Sequence, residues 1–336
     1  MALQRREFLG LMGLGATSSL VLAACGKLGT PKVKGPTIGM LQMVDAPPPT
    51  LTRQGFEAAL AEAGYLPGKT VNFIQKDAAG ELANTTLVIK QFVGEPVDMI
   101  LAVGTPPLQA AMKVAPATLP VVFCYCSNPW GAGAGTPPGG VGEHKPNVVG
   151  TIGTNPVGKE LDLARAFNPA LKTVGLIFNP GEPNAAYEAK ILEQEAQQRG
   201  ITVVQQAVAN SGEVLQAAQV LAEKQVQAFV KIGDYATIQG FSSITKVGLE
   251  NKIPVYSVDA DDINLPGCLA TIGWAYYDDG YAAGQLAIRV LRGESPAKMP
   301  FEPLTKTDLL VNRTTAKQLG LAIPPAVLKD AKQVVG

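Results

Sequence analysis

The chain has 336 residues, in which 28 lysines and arginines balance 28 aspartates and glutamates, with a single histidine. That length exceeds what one hydrophobic core ordinarily serves, so two domains are expected. The balanced charge, with no basic stripe, speaks against nucleic acid, which needs clustered cations to displace counterions.

Residues 1–25 read as an address. Paired Arg5 and Arg6 precede a mildly apolar Gly/Ala/Leu segment, and Leu22-Ala23-Ala24-Cys25 closes it with small residues before a cysteine. The pattern resembles a bacterial lipoprotein signal with Cys25 as the acylated residue, which implies an exported protein anchored to a membrane by lipid. The paired arginines also resemble a twin-arginine export signal. A membrane helix is the competing reading, but the apolar part, 8–24, is short and rich in Gly, Ser and Thr. Residues 26–36 form a Gly/Pro/Lys tether.

Strand and helix signals then alternate: strand over 38–43, helix over 51–63, strand over 71–74, helix over 81–92, strand over 99–103, helix over 108–114 and strand over 120–124. A Gly/Pro-dense loop over 130–146 leads into a connection at 147–151. The pattern repeats with strand 173–178, helix 185–199, strand 200–204, helix 213–224, strand 228–232, helix 241–250 and strand 253–257. Beyond it come 270–274, a helix over 277–291, the run 309–312 and a helix over 315–319. Two long copies with no shorter period predict an α/β protein of two similar doubly wound parallel-sheet lobes joined by hinge strands. The N-terminal lobe is expected over 37–150, completed by about 274–298, and the C-terminal lobe over 151–273, completed by about 299–336. Ligands of such sheets bind beyond the carboxyl ends of the strands, so two facing lobes make a cleft.

The copies differ at one telling place. The apolar run 99–103 ends in Gly104-Thr105, whereas the run 228–232 ends in Gly233-Asp234. The first is expected to offer amides, a hydroxyl and the positive end of a helix to a carboxylate, the second a negative charge to an ammonium. Thr105, Asp234 and Asn184 are also plausible helix caps. Tyr125, Trp274, Tyr276 and Tyr277 are candidates for an aromatic wall. Asp259 lies just past a strand end and competes with a reading of Asp259, Asp261 and Asp262 as a solvated loop.

Enzyme motifs fail. Gly64-Tyr65-Leu66-Pro67-Gly68-Lys69-Thr70 is one residue short of a phosphate loop and lies after a helix rather than after a strand, and Gly131-Ala132-Gly133-Ala134-Gly135 runs into prolines. The sequence has neither Gly-x-Ser-x-Gly nor His-Glu-x-x-His, and one histidine leaves little for a triad. A soft-metal site from Cys124, Cys126 and His144 is a weaker reading than buried thiols, with Cys124 and Cys126 expected side by side on a strand but too far apart to pair. With Cys25 acylated, Cys124, Cys126 and Cys268 leave at least one unpaired thiol. Binding without catalysis, cofactor or metal is the economical reading.

Arg53-Gln54-Gly55-Phe56, Ser127-Asn128-Pro129, Phe178-Asn179-Pro180-Gly181-Glu182-Pro183-Asn184, Tyr276-Tyr277 with Gly280, and Val311-Asn312 with Ala316, Leu319 and Gly320 carry a resemblance over nearly the whole mature chain. The chain resembles the ABC transporter substrate-binding lipoproteins of the periplasmic-binding-protein-like I fold, the group that includes tryptophan-type amino-acid binders. Where that family often has a His and an Asp before its first helix, this chain has Ala46-Pro47-Pro48-Pro49-Thr50. The resemblance implies a monomeric clamshell that hands a small zwitterion, an amino acid with an aromatic side chain among the options, to an ABC permease and ATPase. A sensor subunit using the same clamshell is the alternative. The expected ligand contacts are Gly104, Thr105, Ser127 and Asn128 from the first lobe, Asn179, Asn184, Asp234 and Asp259 from the second, and Tyr276.

Overall fold

A computed structural model describes residues 35–336. The first series runs β1 (Thr37–Gln42), α1 (Pro47–Glu62), β2 (Asn72–Asp77), α2 (Leu82–Gly94), β3 (Met99–Val103), α3 (Thr105–Val114), β4 (Val121–Cys124) and β5 (Val148–Ile152). The second runs α4 (Val157–Phe167), β6 (Thr173–Phe178), α5 (Pro183–Gln198), β7 (Thr202–Ala207), α6 (Val214–Glu223), β8 (Phe229–Val230), α7 (Tyr235–Glu250), β9 (Val255–Ser257) and β10 (Cys268–Trp274). The chain ends with α8 (Tyr276–Leu291), β11 (Glu302–Pro303), β12 (Thr307–Asn312), α9 (Arg313–Leu319), α10 (Pro325–Asp330) and β13 (Gln333–Val335).

These elements make two sheets, ordered β11-β5-β4-β3-β1-β2 and β13-β12-β10-β9-β8-β6-β7. Apart from the antiparallel β10–β12 pair the ladders are parallel. All five residues of β3 are buried, as an apolar strand covered on both faces requires. Alternate residues of the first sheet feed two cores: Leu41, Ile100, Ala102 and Phe123 on one face, Met40, Met99, Leu101 and Val103 on the other. The second sheet is divided in the same way, with Val174, Leu176 and Val230 on one face and Ile177, Phe229 and Val255 on the other.

The chain passes between lobes three times, from β5 to α4, from β10 to α8 and from β11 to β12. After the second crossing α8 returns to the first lobe and packs with α1 through Phe56, Ala59, Leu60, Ala283 and Leu286. The helices come close enough there that a Cβ on Gly280 would strike the Thr52 carbonyl. The crossing segments are tied together: Gly153 N–H donates to Cys126 O (2.9 Å), Thr154 Oγ1 to Ser127 O (2.9 Å) and Trp274 Nε1 to Thr154 O (3.1 Å).

Several local expectations change. Residues 148–152 are not a bare connection but β5, because Val148 and Val149 fill the two faces of the first sheet. The short β11 joins the first sheet beside β5, so the segment after 298 does not belong wholly to the second lobe as the sequence pattern suggests. Helix α4 is an element beyond those expected from sequence; its Val157, Leu161 and Ala164 form a buried apolar stripe. Cys124 and Cys126 do not project side by side. Tyr125 between them has φ +52, which breaks strand alternation and sends Cys124 into one core and Cys126 into the other. Cys124, Cys126 and Cys268 are free and buried. Cys25 and the export signal lie outside the described residues.

Candidate functional site

The carboxyl ends of both sheets converge on a narrow cavity that is partly open to solvent. The first lobe lines it with Tyr125, Ser127, Tyr276 and Asp279, and the crossings with Gly153, Asn155 and Trp274. The second lobe adds Asn184, Glu188 and the start of α7 from Gly233 to Ile238. Tyr125 and Tyr276 meet edge to face at 5.2 Å between ring centres, and Tyr125 and Tyr235 at 6.3 Å, which gives the cavity an aromatic side.

Its charge is one-sided. Glu188, 1% exposed, accepts both Asn155 Nδ2 (3.0 and 3.1 Å) and Gly233 N–H (2.8 Å). Burial pushes its carboxyl up to about 7, against the pull of these hydrogen bonds. Asp279 is pushed up to about 6 by burial, and accepts Thr151 Oγ1 and the Tyr125 N–H (2.8 Å). That last bond holds Tyr125 in its left-handed backbone, a conformation that costs about 1–3 kcal/mol and gathers at ligand sites. Burial, and then the neighbouring Asp234 charge, push Glu182 up to about 8.

Three buried polar atoms at the cavity have no partner: Ser127 Oγ, Asn155 Oδ1 and Asn184 Oδ1. The amide orientations are decided by their other ends, because Asn155 Nδ2 faces the Glu188 carboxylate and Asn184 Nδ2 faces Gly233 O (2.7 Å).

Of the residues expected from sequence, Ser127, Asn184, Asp234 and Tyr276 meet at this cavity. The others stand outside its lining. Gly104 is the N-cap of α3, and its own N–H donates to Cys124 O (2.9 Å). Thr105 is the first helical residue rather than the cap, and its hydroxyl pairs with Cys126 Sγ and the Asn128 N–H, both at 3.4 Å. Asn128 turns the chain by accepting Gly131 N–H, and Asn179 does the same for Gly181 N–H. Asp259 is not in a solvated loop: it is 1% exposed, bonded to Lys231 and to the Tyr276 hydroxyl. Burial alone would discharge Lys231, but Asp259 and Asp262 outweigh it and hold the ammonium above the ordinary lysine value. Asp234 lines the cavity yet caps α7, accepting Thr237 N–H (2.6 Å) and Asn179 N–H (2.7 Å).

Glu188 and Asn155 were missed. A signal for Glu188 existed: it lies on the stripe of α5 that buries Ala185, Ala189 and Leu192, where a carboxylate is out of place. Tyr277 is 44% exposed and belongs to no wall. His144 directs its ring nitrogens at the Lys145 and Met299 carbonyls, and the described residues contain no group of three or more metal-ligating side chains.

The lobes touch across the cleft. Tyr235, from the second lobe, is buried among Leu41, Ala102 and Phe123 of the first. Its hydroxyl occupies the place a side chain at Gly104 would take, and Gly104 has φ +116.

The model of the ABC transporter substrate binding protein family matches residues 37–335. The chain belongs to this family. It is a binding protein and not an enzyme; members bind small molecules for ABC transporters and act outside the cytoplasm. Among the described residues no helix is long and apolar enough to cross a membrane. A tyrosine-binding protein of Clostridioides difficile is 31% identical over 295 residues, covering 87% of this chain and 83% of that protein. A structure from Streptococcus pneumonia, an ABC domain in complex with L-Trp, is 28% identical with a TM-score of 0.83, covering 90% of this substrate-binding protein and 100% of that chain. A ligand-free, open substrate binding protein with adhesive properties from Clostridium difficile is 30% identical with a TM-score of 0.67, covering 89% and 99%.

Proposed function

We propose that this substrate-binding protein is the extracytoplasmic receptor of an ABC importer for an amino acid with an aromatic side chain. The observation that carries it is the set of unpaired Asn155 Oδ1, Asn184 Oδ1 and Ser127 Oγ beside the Glu188 carboxylate, facing aromatic rings. An ammonium has three donors and matches the two amide oxygens and the carboxylate, while Ser127 offers its hydroxyl to the α-carboxylate. Tyr125, Tyr276 and Trp274 flank the side chain. The named ligands of the relatives, tyrosine and L-Trp, support this class.

The ligand closes the clamshell because only the closed state brings residues of both lobes to it. The receptor works as a monomer tethered through acylated Cys25 and delivers its ligand to a permease and ATPase. A thermal-shift screen against amino acids, sugars, purines and metals tests the ligand class. Tyrosine or tryptophan should raise the melting temperature; a shift with a sugar and none with any amino acid removes the proposal. Cys25→Ser should release the protein into the soluble fraction, and retention on the membrane would remove the anchor.

A further inference from the structure

Next to the aromatic side of the cavity lies a buried cluster of charge, Lys231, Asp259 and Asp262, that is not part of the lining. Lys231 interrupts an apolar run, Ala228-Phe229-Val230-Lys231-Ile232, whose other members all belong to the core. Its ammonium pairs with Asp259 and with Asp262 (2.9 Å) and lies 5.0 Å from the centre of the Phe241 ring. Ser257 ties the two carboxylates together: its hydroxyl donates to Asp262 (2.6 Å) and accepts the Asp259 N–H (3.0 Å). Taking such charges out of water costs about what their attraction returns, and apolar residues in their place are often neutral or stabilising. Stability is therefore a weak reason for this cluster.

The cluster reaches the cavity through Tyr276. Lys231 engages one oxygen of Asp259, and the other accepts the Tyr276 hydroxyl. Tyr276 begins α8 in the first lobe, whereas Lys231 and Asp259 belong to the second, so this bond crosses between lobes. The Tyr276 ring lines the cavity and meets Tyr125 edge to face at 5.2 Å. One turn further along α8, Asp279 accepts the Tyr125 N–H (2.8 Å). Each ring of the pair is thus fixed by its own buried carboxylate, Tyr125 through its backbone and Tyr276 through its hydroxyl. With its proton committed to Asp259, Tyr276 meets a ligand with its ring and not as a donor.

We propose that Asp259, paired with Lys231, is a positioning residue of the binding site: it locks the Tyr276 ring in the place where that ring packs against an aromatic ligand, without touching the ligand itself. This rests on the functional reading above, that the cavity takes an aromatic amino acid. A phenol free to turn has to be ordered as the ligand enters, and the ordering lowers affinity. Tied to a carboxylate by a charge-assisted hydrogen bond, the ring is ordered beforehand. The same tie accounts for an aspartate that follows a strand end and yet stands outside the cavity lining.

Calorimetric titration of the full chain with L-tyrosine and L-tryptophan, beside its melting temperature, tests this on Tyr276→Phe, Asp259→Asn and the double variant. Tyr276→Phe keeps the ring and every charge of the cluster, and its loss alone decides where Asp259→Asn does not fold. Tyr276→Phe is expected to weaken binding of both amino acids about tenfold, Asp259→Asn by up to about tenfold, and the double variant by no more than about twofold beyond Tyr276→Phe, because both substitutions act on one bond. Binding by Tyr276→Phe within about twofold of the parent overturns the inference even where the melting temperature falls, because packing alone then holds the ring. Losses that add in the double variant overturn it as well, since Asp259 then acts by a route other than Tyr276. Either result leaves the amino-acid reading standing, whereas a parent chain that binds neither amino acid removes that reading and this inference with it.

Discussion

Glu188 and Asp234 both line the cavity, but their carboxylates do different work. Asp234 accepts two backbone N–H groups and closes the first turn of α7, so its truncation is chiefly a loss of a cap. Glu188 is held by Asn155 and Gly233 with an unpaired amide oxygen beside it. Glu188→Gln keeps the shape and an acceptor while deleting the charge, and should weaken ligand binding by about 2–5 kcal/mol. Asp234→Ala should lower folding stability by about 1–2 kcal/mol and weaken binding less than Glu188→Gln does. Calorimetry and urea denaturation on both variants decide the order; a larger affinity loss for Asp234→Ala would reverse the assignment.

Among the elements, the turn from β3 into α3 carries the closest approach across the cleft. Gly104 has φ +116, where side chains are strained, and the Tyr235 hydroxyl of α7 fills the space next to it. Gly104→Ala puts a methyl group where the Tyr235 hydroxyl sits, so this contact, made only when the lobes meet, should cost the closed state about 1–3 kcal/mol relative to the open one. Small-angle scattering with saturating ligand should then show a larger radius than the parent, with weaker affinity. A variant that closes as fully as the parent would show that Tyr235 is not seated against Gly104.

For the molecule as a whole, its buried carboxyl groups make stability depend on pH in an unusual direction. Folded-state values are raised for Glu182 (about 8), Glu188 (about 7), Asp279 (about 6) and Asp262 (about 6), with burial the first cause in each. A carboxyl whose folded value lies above its unfolded one binds the proton more tightly in the native state. Its contribution is therefore fully present below about pH 4 and is lost as pH rises toward 8, on the order of 3 kcal/mol for Glu188. The melting temperature of the ligand-free protein should fall from pH 5 to 8, while affinity for an ammonium ligand rises over pH 6 to 8 as Glu188 ionises. Differential scanning fluorimetry and calorimetry across that range check both; stability that rises with pH, or flat affinity, would contradict the assignment.

The repeat of strand and helix, the two lobes and the strand ends that deliver Ser127, Asn184 and Asp234 were legible in the sequence. Periodicity and burial are local properties of a chain: the apolar run at β3 and the Thr173–Phe178 strand announce themselves whatever surrounds them. What the sequence could not decide was which polar atoms would find partners. Gly104, Thr105 and Asp234 all read as ligand contacts because each follows a strand, and all three are engaged by the chain itself, through Cys124, Cys126 and the amides of Asn179 and Thr237. The same holds for Asn155 and Glu188, which lie 33 residues apart and gain their meaning only when a lobe crossing sets one against the other. Hydrogen-bond satisfaction is a property of the folded neighbourhood, and so the tertiary structure decided which side chains face the cavity unpaired.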